Sequence, residues 1–108
     1  MKFSVIVPTY NRISSLKRTL EALFRQTYTD AEIIVVDDGS TDGTRVMLVE
    51  LASAKKIRYI RQENRGPAAA RNAGAKIAGG DYIVFTDDDC VVPADWLDGF
   101  ARTFRSHN

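Results

Sequence analysis

The chain has 108 residues, of which 44% are apolar and 27% charged, with a formal net charge of +1. This composition is typical of one soluble globular domain, and the near-neutral charge gives no indication of a nucleic-acid partner. No apolar stretch reaches the roughly 20 residues of a membrane-spanning helix. The single cysteine, Cys90, excludes an internal disulfide. Together with the lack of a signal-peptide pattern, it predicts a cytoplasmic protein.

The first predicted elements are a strand and a helix. The apolar run Phe3–Val7 is nearly continuous, which is typical of a strand buried on both faces. The residues that follow place one apolar stripe at helical spacing, with Ser14 or Ser15 as the predicted N-cap. The members of this stripe are Leu16, Leu20, Leu23 and Phe24.

A second strand and helix follow. Glu32–Val36 is the next strand, and Thr41 or Asp42 precedes the next helix as its predicted cap. The apolar side of this helix is predicted to consist of Val46, Met47, Val49 and Leu51.

The second half of the chain repeats the alternation. Ile57–Ile60 and Tyr82–Phe85 are the third and fourth predicted strands. The third helix is predicted to begin at Gly66-Pro67, because proline suits the first helical position, and Gly79-Gly80 ends it. Pro93 starts the fourth helix. One face of that helix carries Trp96, Phe100 and Phe104, and Trp96 is interpreted as a core residue.

This β-α-β-α-β-α-β-α order predicts an α/β domain over residues 1–108, with three α/β/α layers around a mainly parallel sheet. Ligands of such sheets bind beyond the carboxyl ends of the strands. The loops expected there are VPTYNR (7–12), DDGSTDGT (37–44), RQENRGP (61–67) and TDDDC (86–90). They collect carboxylates, arginines, hydroxyls and glycines, so this edge is predicted to bind a polar ligand.

Three adjacent carboxylates follow the fourth strand. Asp87, Asp88 and Asp89 repel one another unless a positive charge neutralises them. A hard divalent cation, Mn²⁺ or Mg²⁺, suits such oxygen ligands. Strand alternation would send Asp87 and Asp89 to one side and Asp88 to the other. The triplet is therefore predicted to bind metal, and its register stays open. Cys90 is interpreted as a small apolar spacer.

Asp37 and Asp38 end the second strand, and Gly39 permits a sharp turn there. We expect Asp38 to accept a hydrogen bond from the N3–H of a uracil or from ribose hydroxyls, and Asp37 to be structural. Three further polar residues are interpreted as helix caps: Ser40, Thr41 and Asp42.

The loop after the first strand is the candidate site for a base. Pro8 stiffens the strand exit, and Thr9 offers a hydroxyl and backbone groups. Tyr10 either stacks on the base or packs on the next helix, with Asn11 as the cap of that helix in the second case. The residues alone leave both interpretations open.

The third helix supplies cationic groups. Arg71 and Asn72 lie in its first turns, where the positive end of the helix and a guanidinium both favour phosphate. Arg61 and Arg65 are weaker candidates, because an arginine is more often a solvated surface residue. No Walker loop or dinucleotide fingerprint accompanies them.

Taken together and in this order, VPTYNR, VVDDGSTDGT, NRGPAAARNAG and DYIVFTDDDC resemble family 2 glycosyltransferases with the GT-A fold, over nearly the whole chain. The resemblance implies a nucleoside-diphosphate sugar donor, usually UDP-linked, an Asp-x-Asp metal motif and transfer with inversion. The implied metal residues are Asp87, Asp88 and Asp89. The implied nucleotide-binding residues are Pro8, Thr9, Tyr10, Arg12, Asp38, Arg71, Asn72, Asp87 and Asp88.

The resemblance also implies what residues 1–108 lack. They correspond to the donor-binding half, and the general base and the half that binds a carbohydrate or lipid-linked acceptor are expected beyond residue 108. The isolated chain is then expected to transfer sugar poorly, and a full-length enzyme to lie in the cytoplasm or at the inner membrane face. A non-catalytic nucleotide-binding fragment or subunit is the alternative. The last strand would form an open edge that permits a homodimer. His107 is expected to be solvated.

Overall fold

A computed structural model of the chain describes residues 1–106, so the prediction for His107 lies outside the described residues. Strands and helices alternate in the predicted order. They are β1 (Phe3–Thr9), α1 (Ile13–Phe24), β2 (Ala31–Asp37), α2 (Thr44–Ser53), β3 (Arg58–Arg61), α3 (Pro67–Ile77), β4 (Tyr82–Phe85) and α4 (Trp96–Ser106). Within residues 1–106 no helix has the length and apolarity that crossing a membrane requires.

The strands form one parallel sheet in the order β3-β2-β1-β4. Strand β1 is central and pairs with β2 from Phe3↔Ala31 to Thr9↔Asp37. On its other side β1 pairs with β4 only as far as Ile6↔Phe85. The predicted α/β class with a mainly parallel sheet is confirmed, and the polar loops do meet at the carboxyl edge.

The two faces of the sheet carry separate cores. Val5 and Val7 point to a large cluster with α1, α2 and α4, and Ile6 and Ile34 point to a smaller one with α3. This division gives the three layers, and it explains why β1 and β2 are apolar on both faces.

Helix α3 lies unusually close to the sheet. A Cβ atom on Gly74 would lie 2.6 Å from Cγ2 of the fully buried Ile6, so only glycine allows this approach. The small Ala70 contacts the same cluster. Close packing fixes the height of α3 over the sheet, and with it the position of the N-terminal turn of the helix.

The predicted details of α1 and its cap are partly wrong. Arg12 occupies the N-cap position and makes no side-chain cap, and the Ile13 N–H donates to Asp42 Oδ2 at 3.2 Å. Ser15 instead donates its hydroxyl to the Arg12 carbonyl. Phe24 is 40% exposed, whereas the other members of the predicted stripe are buried. The cap therefore comes from a distant loop, which sequence spacing does not reveal.

Helix α2 is rotated relative to the prediction. Its buried residues are Thr44 and Leu48, whereas Val46 is 64% and Val49 45% exposed. Met47 and Leu51 do pack on the core, as predicted. Apolar residues lie on several sides of α2, so the sequence alone does not determine which side faces the sheet. In the structure that side is the one that carries Leu48.

The ends of α3 and α4 are shifted. Helix α3 ends at Ile77, before the two glycines, and its last carbonyl accepts a hydrogen bond from Arg58 at 2.6 Å. Helix α4 begins at Trp96, because the Pro93 carbonyl accepts the Trp96 N–H in a preceding turn. Trp96 packs against the core, which confirms its interpretation.

Candidate functional site

A cleft of about 450 Å³ lies at the carboxyl ends of β1, β2 and β4, beside the first turns of α3. Its volume is within the roughly 300–1,000 Å³ of small-molecule sites. The predicted residues that line it are Pro8, Thr9, Tyr10, Arg12, Asp38, Arg71, Asp87, Asp88 and Asp89. Asn72 is exposed on α3 and is not part of the lining. Sequence reasoning missed Pro67 and Ala70 as lining residues, although their place in the helix start was a usable signal.

The middle carboxylate of the triplet points into the protein. Asp88 is buried, and its Oδ2 accepts a hydrogen bond from the hydroxyl of buried Thr9 at 2.8 Å. Its Oδ1 lies 3.4 Å from Arg12 Nη1. This arrangement joins the end of β1 to the loop after β4, beyond the point where the two strands stop pairing. The Thr9 hydroxyl, which was expected to face a base, donates a hydrogen bond to Asp88 instead.

The outer carboxylates face solvent at the mouth of the cleft. Asp87 and Asp89 are exposed, and one oxygen from each lies, with Cys90 Sγ, in a group whose atoms are all within 4.8 Å of one another. A divalent ion takes oxygen ligands at about 2.0–2.6 Å, so a small rotation lets both carboxylates reach one ion. The donor set therefore fits Mn²⁺ or Mg²⁺. The predicted division between Asp87 and Asp89 on one side and Asp88 on the other is observed, although β4 ends at Phe85.

Asp38 holds the loop that leads into α3. Its Oδ1 accepts from the Arg65 N–H at 2.7 Å and from Gln62 Nε2 at 2.9 Å, and its Oδ2 accepts the Gly66 N–H at 3.0 Å. Burial raises the pKa of the Asp38 carboxyl, but these hydrogen bonds outweigh burial, and the pKa lies below its usual value. Asp38 thus lines the cleft as a carboxylate whose oxygens already bind three donors. The role of Gln62 had no signal in the sequence.

Asp37 is structural, as predicted. Its side chain is fully buried and accepts hydrogen bonds from the Ser40 N–H at 2.9 Å, from Arg61 Nη1 at 3.1 Å and from the Tyr59 hydroxyl at 3.3 Å. Arg61 also donates to Glu63 Oε1 at 2.9 Å. Arg61, a weak candidate for binding phosphate, is therefore committed to the fold.

The loops after β1 and β2 hold each other. Ser40 Oγ accepts the Asn11 N–H at 2.9 Å, and Asn11 Oδ1 accepts the Thr41 N–H at 2.7 Å. The predicted capping roles of Ser40 and Thr41 are therefore wrong, and the alternative in which Asn11 caps α1 is not observed. Asp42 does cap α2, since it accepts the Thr44 N–H at 3.2 Å. Gly39, with φ of 91°, makes the predicted sharp turn.

Tyr10 and Arg71 remain available to a ligand. Tyr10 is 46% exposed and lines the cleft, so its ring is open for stacking. Arg71 is half-buried and lines the cleft from α3. Arg65 contributes a backbone N–H to Asp38, and no contact with the cleft. An exposed tyrosine ring, a guanidinium and an exposed carboxylate pair thus line one cavity.

The model of the family described as "Glycosyl transferase family 2" matches residues 4–108. The chain belongs to this family. An uncharacterized glycosyltransferase of Rickettsia felis is 47% identical over 107 residues, which is 99% of this chain and 18% of that protein. The glycosyltransferase GlyG of Streptococcus pneumoniae is 39% identical over 88% of this chain and 32% of its own length.

Solved structures with the same fold include complexes with nucleotide sugars. Staphylococcus aureus TarS 1–349 in complex with UDP-GlcNAc matches with a TM-score of 0.88 and 33% identity, over 99% of this chain and 32% of that one. The mannosyltransferase PcManGT of Pyrobaculum calidifontis, in complex with GDP-Man and Mn²⁺, matches with a TM-score of 0.81 and 34% identity, over 89% of this chain and 30% of that one. The chain therefore spans about a fifth to a third of these family 2 relatives.

Proposed function

We propose that this chain binds a nucleoside-diphosphate sugar, a UDP-sugar, together with Mn²⁺ or Mg²⁺, as the donor half of an inverting glycosyltransferase. The observation that carries the proposal is the cleft, which exposed Asp87 and Asp89 line together with Tyr10 and the N-terminal turns of α3. A diphosphate needs cationic partners, and a base needs an aromatic or apolar face. One cavity provides both.

The polar contacts of the cleft suggest how the donor lies. The base would stack on Tyr10 beside Pro8 and Thr9, and the remaining acceptor capacity of Asp38 would bind the uracil N3–H. Arg71 and the positive end of α3 would face the diphosphate.

The outer carboxylates of the triplet would hold the metal. We assign the ligands to Asp87 and Asp89, because Asp88 already accepts a hydrogen bond from Thr9. Asp87 is proposed to be nearer the ribose, as the family resemblance implies. When bound, the divalent ion supplies Lewis-acid stabilisation to the leaving diphosphate. The chain's own part is to orient the donor and to keep Asp88 and Thr9 fixed beneath it.

We assign no general base to residues 1–108, and the acceptor of the whole enzyme is proposed to be a carbohydrate or a lipid-linked carbohydrate.

Calorimetric titration of the chain with UDP, with and without Mn²⁺, tests the proposal. We expect binding that strengthens strongly with Mn²⁺, because an ion held by Asp87 and Asp89 would add positive charge where the diphosphate is proposed to bind. We expect GDP to bind more weakly, since the neighbours of higher TM-score and coverage include TarS complexes with UDP and UDP-GlcNAc. A folded chain that binds no UDP at millimolar concentration would contradict the donor site. Preference for GDP would contradict the choice of base.

We also propose that the chain forms a homodimer through β4. Within residues 1–106 this strand lies at the sheet edge, and two of its own residues, Ile83 and Phe85, are 43% and 47% exposed. Unpaired edges with apolar residues tend to associate, and a lysine on an edge prevents this. Light scattering should show a concentration-dependent dimer that Ile83→Lys removes, whereas Val46→Lys, on exposed α2 surface, should not. A monomer at all concentrations would count against the dimer.

A further inference from the structure

One cation is paired with the acidic triplet. The side chain of Arg12 extends from the N-cap of α1 to the loop after β4, where its Nη1 lies 3.4 Å from Asp88 Oδ1 and 3.4 Å from Asp89 Oδ2. Among the salt bridges of residues 1–106, no other cation contacts Asp87, Asp88 or Asp89. Arg12 therefore provides the local neutralisation that three adjacent carboxylates require.

The ion pair between Arg12 and Asp89 contributes little to the stability of the fold. The two side chains are 57% and 55% exposed, and 3.4 Å is long for a charge-assisted hydrogen bond of about 2.7–2.9 Å. By contrast, Arg61 meets the fully buried Asp37 at 3.1 Å. Exposed pairs of this kind contribute little to stability. The buried bond from Thr9 to Asp88 already joins the two loops, so Arg12 can leave Asp89 without loosening them.

Arg12 also lines the cleft in which the diphosphate is proposed to bind. It lines the cleft with Asp87 and Asp89, and a divalent ion held by one or two carboxylates normally completes its coordination with substrate phosphates. A guanidinium binds phosphate oxygens in a bidentate manner. The long, exposed side chain therefore has two alternative anionic partners within its reach.

We propose that Arg12 is an exchangeable counter-ion of the metal site, which pairs with Asp89 before the donor binds and with the diphosphate afterwards. The proposal rests on the proposed function, because it takes Asp87 and Asp89 as the metal ligands. Arg12 competes with a divalent cation for Asp89, since both are positive and share one carboxylate. Once the diphosphate is present, Arg12 adds to its binding.

This exchange gives the Arg12→Gln variant effects of opposite sign. Without the guanidinium, Mn²⁺ alone should bind roughly twenty-fold more tightly, the effect of removing one unit charge a few ångströms from a doubly charged ion in water. UDP at saturating Mn²⁺ should bind roughly ten-fold more weakly, because a hydrogen bond to a charged group is lost. A residue with a merely structural role would weaken both.

The experiment measures the two steps separately on the 108-residue chain. Free Mn²⁺ is followed by its electron paramagnetic resonance signal, and UDP binding at saturating Mn²⁺ by calorimetry. The variants are Arg12→Gln, Arg12→Lys and the control Arg18→Gln, which removes the same charge from an exposed position on α1 outside the cleft. Arg12→Lys keeps the charge and should retain the Mn²⁺ affinity of the unaltered chain, but bind UDP less well for want of the planar fork.

The outcomes separate this proposal from the proposed function. Tighter Mn²⁺ binding with weaker UDP binding in Arg12→Gln, and neither in Arg18→Gln, would establish the exchange. If the unaltered chain binds Mn²⁺ and UDP but Arg12→Gln leaves Mn²⁺ affinity unchanged or weaker, the exchange is wrong and the donor site stands. If the unaltered folded chain binds no Mn²⁺ in the absence or presence of UDP, the metal site is wrong and the exchange with it.

Discussion

Replacing Asp89 with asparagine is expected to abolish the Mn²⁺-dependent part of UDP binding while the fold stays intact. Asp89 is exposed, and its ion pair among residues 1–106 is with the exposed Arg12 at 3.4 Å, so its charge adds little to stability. Outer-shell partners of a metal typically contribute roughly 10–100-fold in metal affinity. Replacing a direct ligand should therefore lower the affinity for Mn²⁺ by about 100-fold or more. Asp87→Asn should behave in the same way.

The matched control is the neighbouring carboxylate. Asp88→Asn removes the same charge, but it disturbs the buried bond from Thr9, so we expect a lower melting temperature and a smaller loss of metal dependence. Calorimetry of UDP with and without Mn²⁺, together with thermal unfolding of each variant, separates the two effects. Loss of metal dependence in Asp88→Asn at unchanged stability, with Asp89→Asn still responding to Mn²⁺, would reverse our assignment of the ligands.

The order of elements could be predicted because each strand of this fold is short, apolar and bounded by polar loops. β1 and β2 face a core on both sides, so their sequences are nearly continuous runs of Val and Ile. Their parallel alternation with helices then determines that one edge gathers the loop ends. The carboxylates and arginines of those loops therefore indicated the cleft before its geometry was known.

Helix phases and caps could not be predicted from spacing alone. The buried side of α2 is set by Leu48 against the sheet, and Val46 and Val49 are left in solvent despite their hydrophobicity. The start of α1 is capped by Asp42, a residue of another loop. Such contacts depend on where loops meet in space, and sequence-local rules consider only neighbours along the chain.

The internal partners of the site were likewise hidden. Asp38 was predicted as a ligand contact, and its carboxylate also holds Gln62 and the backbone of residues 65–66. Alternation along β4 did separate Asp88 from Asp87 and Asp89, because the pattern of burial continues past the last paired residue. The alternation could not indicate that Thr9 is the hydrogen-bond partner of Asp88, since Thr9 is distant in the sequence.

The second large effect concerns stability, and it arises from the buried pair beneath the cleft. Asp37→Ala is expected to lower the free energy of unfolding by about 3 kcal/mol, because it removes a fully buried carboxylate that accepts three hydrogen bonds, and a buried donor left without an acceptor costs about 1–3 kcal/mol. Arg61 would keep only the exposed Glu63 as an anionic partner, and the buried N–H of Ser40 would lose its acceptor. Natural domains have only about 5–15 kcal/mol of stability, so this loss is a large fraction of the total.

Urea unfolding followed by the fluorescence of Trp96, the single tryptophan, measures this loss. Glu21→Ala is the control, since Glu21 is exposed on α1 and such changes usually stay within about 0.5 kcal/mol. In the double variant Asp37→Ala, Arg61→Ala the losses should not add, because the two side chains share one interaction. A loss for Asp37→Ala as small as that of the control, or full additivity, would contradict the role of the pair.

The same substitution should weaken nucleotide binding in molecules that are still folded. The N–H of Ser40 donates a hydrogen bond to the Asp37 carboxylate, which fixes the position of Ser40. Ser40 Oγ in turn accepts a hydrogen bond from the N–H of Asn11, which immediately follows Tyr10. Losing the bond from the Ser40 N–H to Asp37 should therefore loosen the loops after β1 and β2, which contribute Tyr10 and Asp38 to the cleft. UDP titration at low temperature, where Asp37→Ala remains folded, should show reduced affinity with the Mn²⁺ dependence preserved. Unchanged affinity would mean that the loops keep their positions without the buried carboxylate.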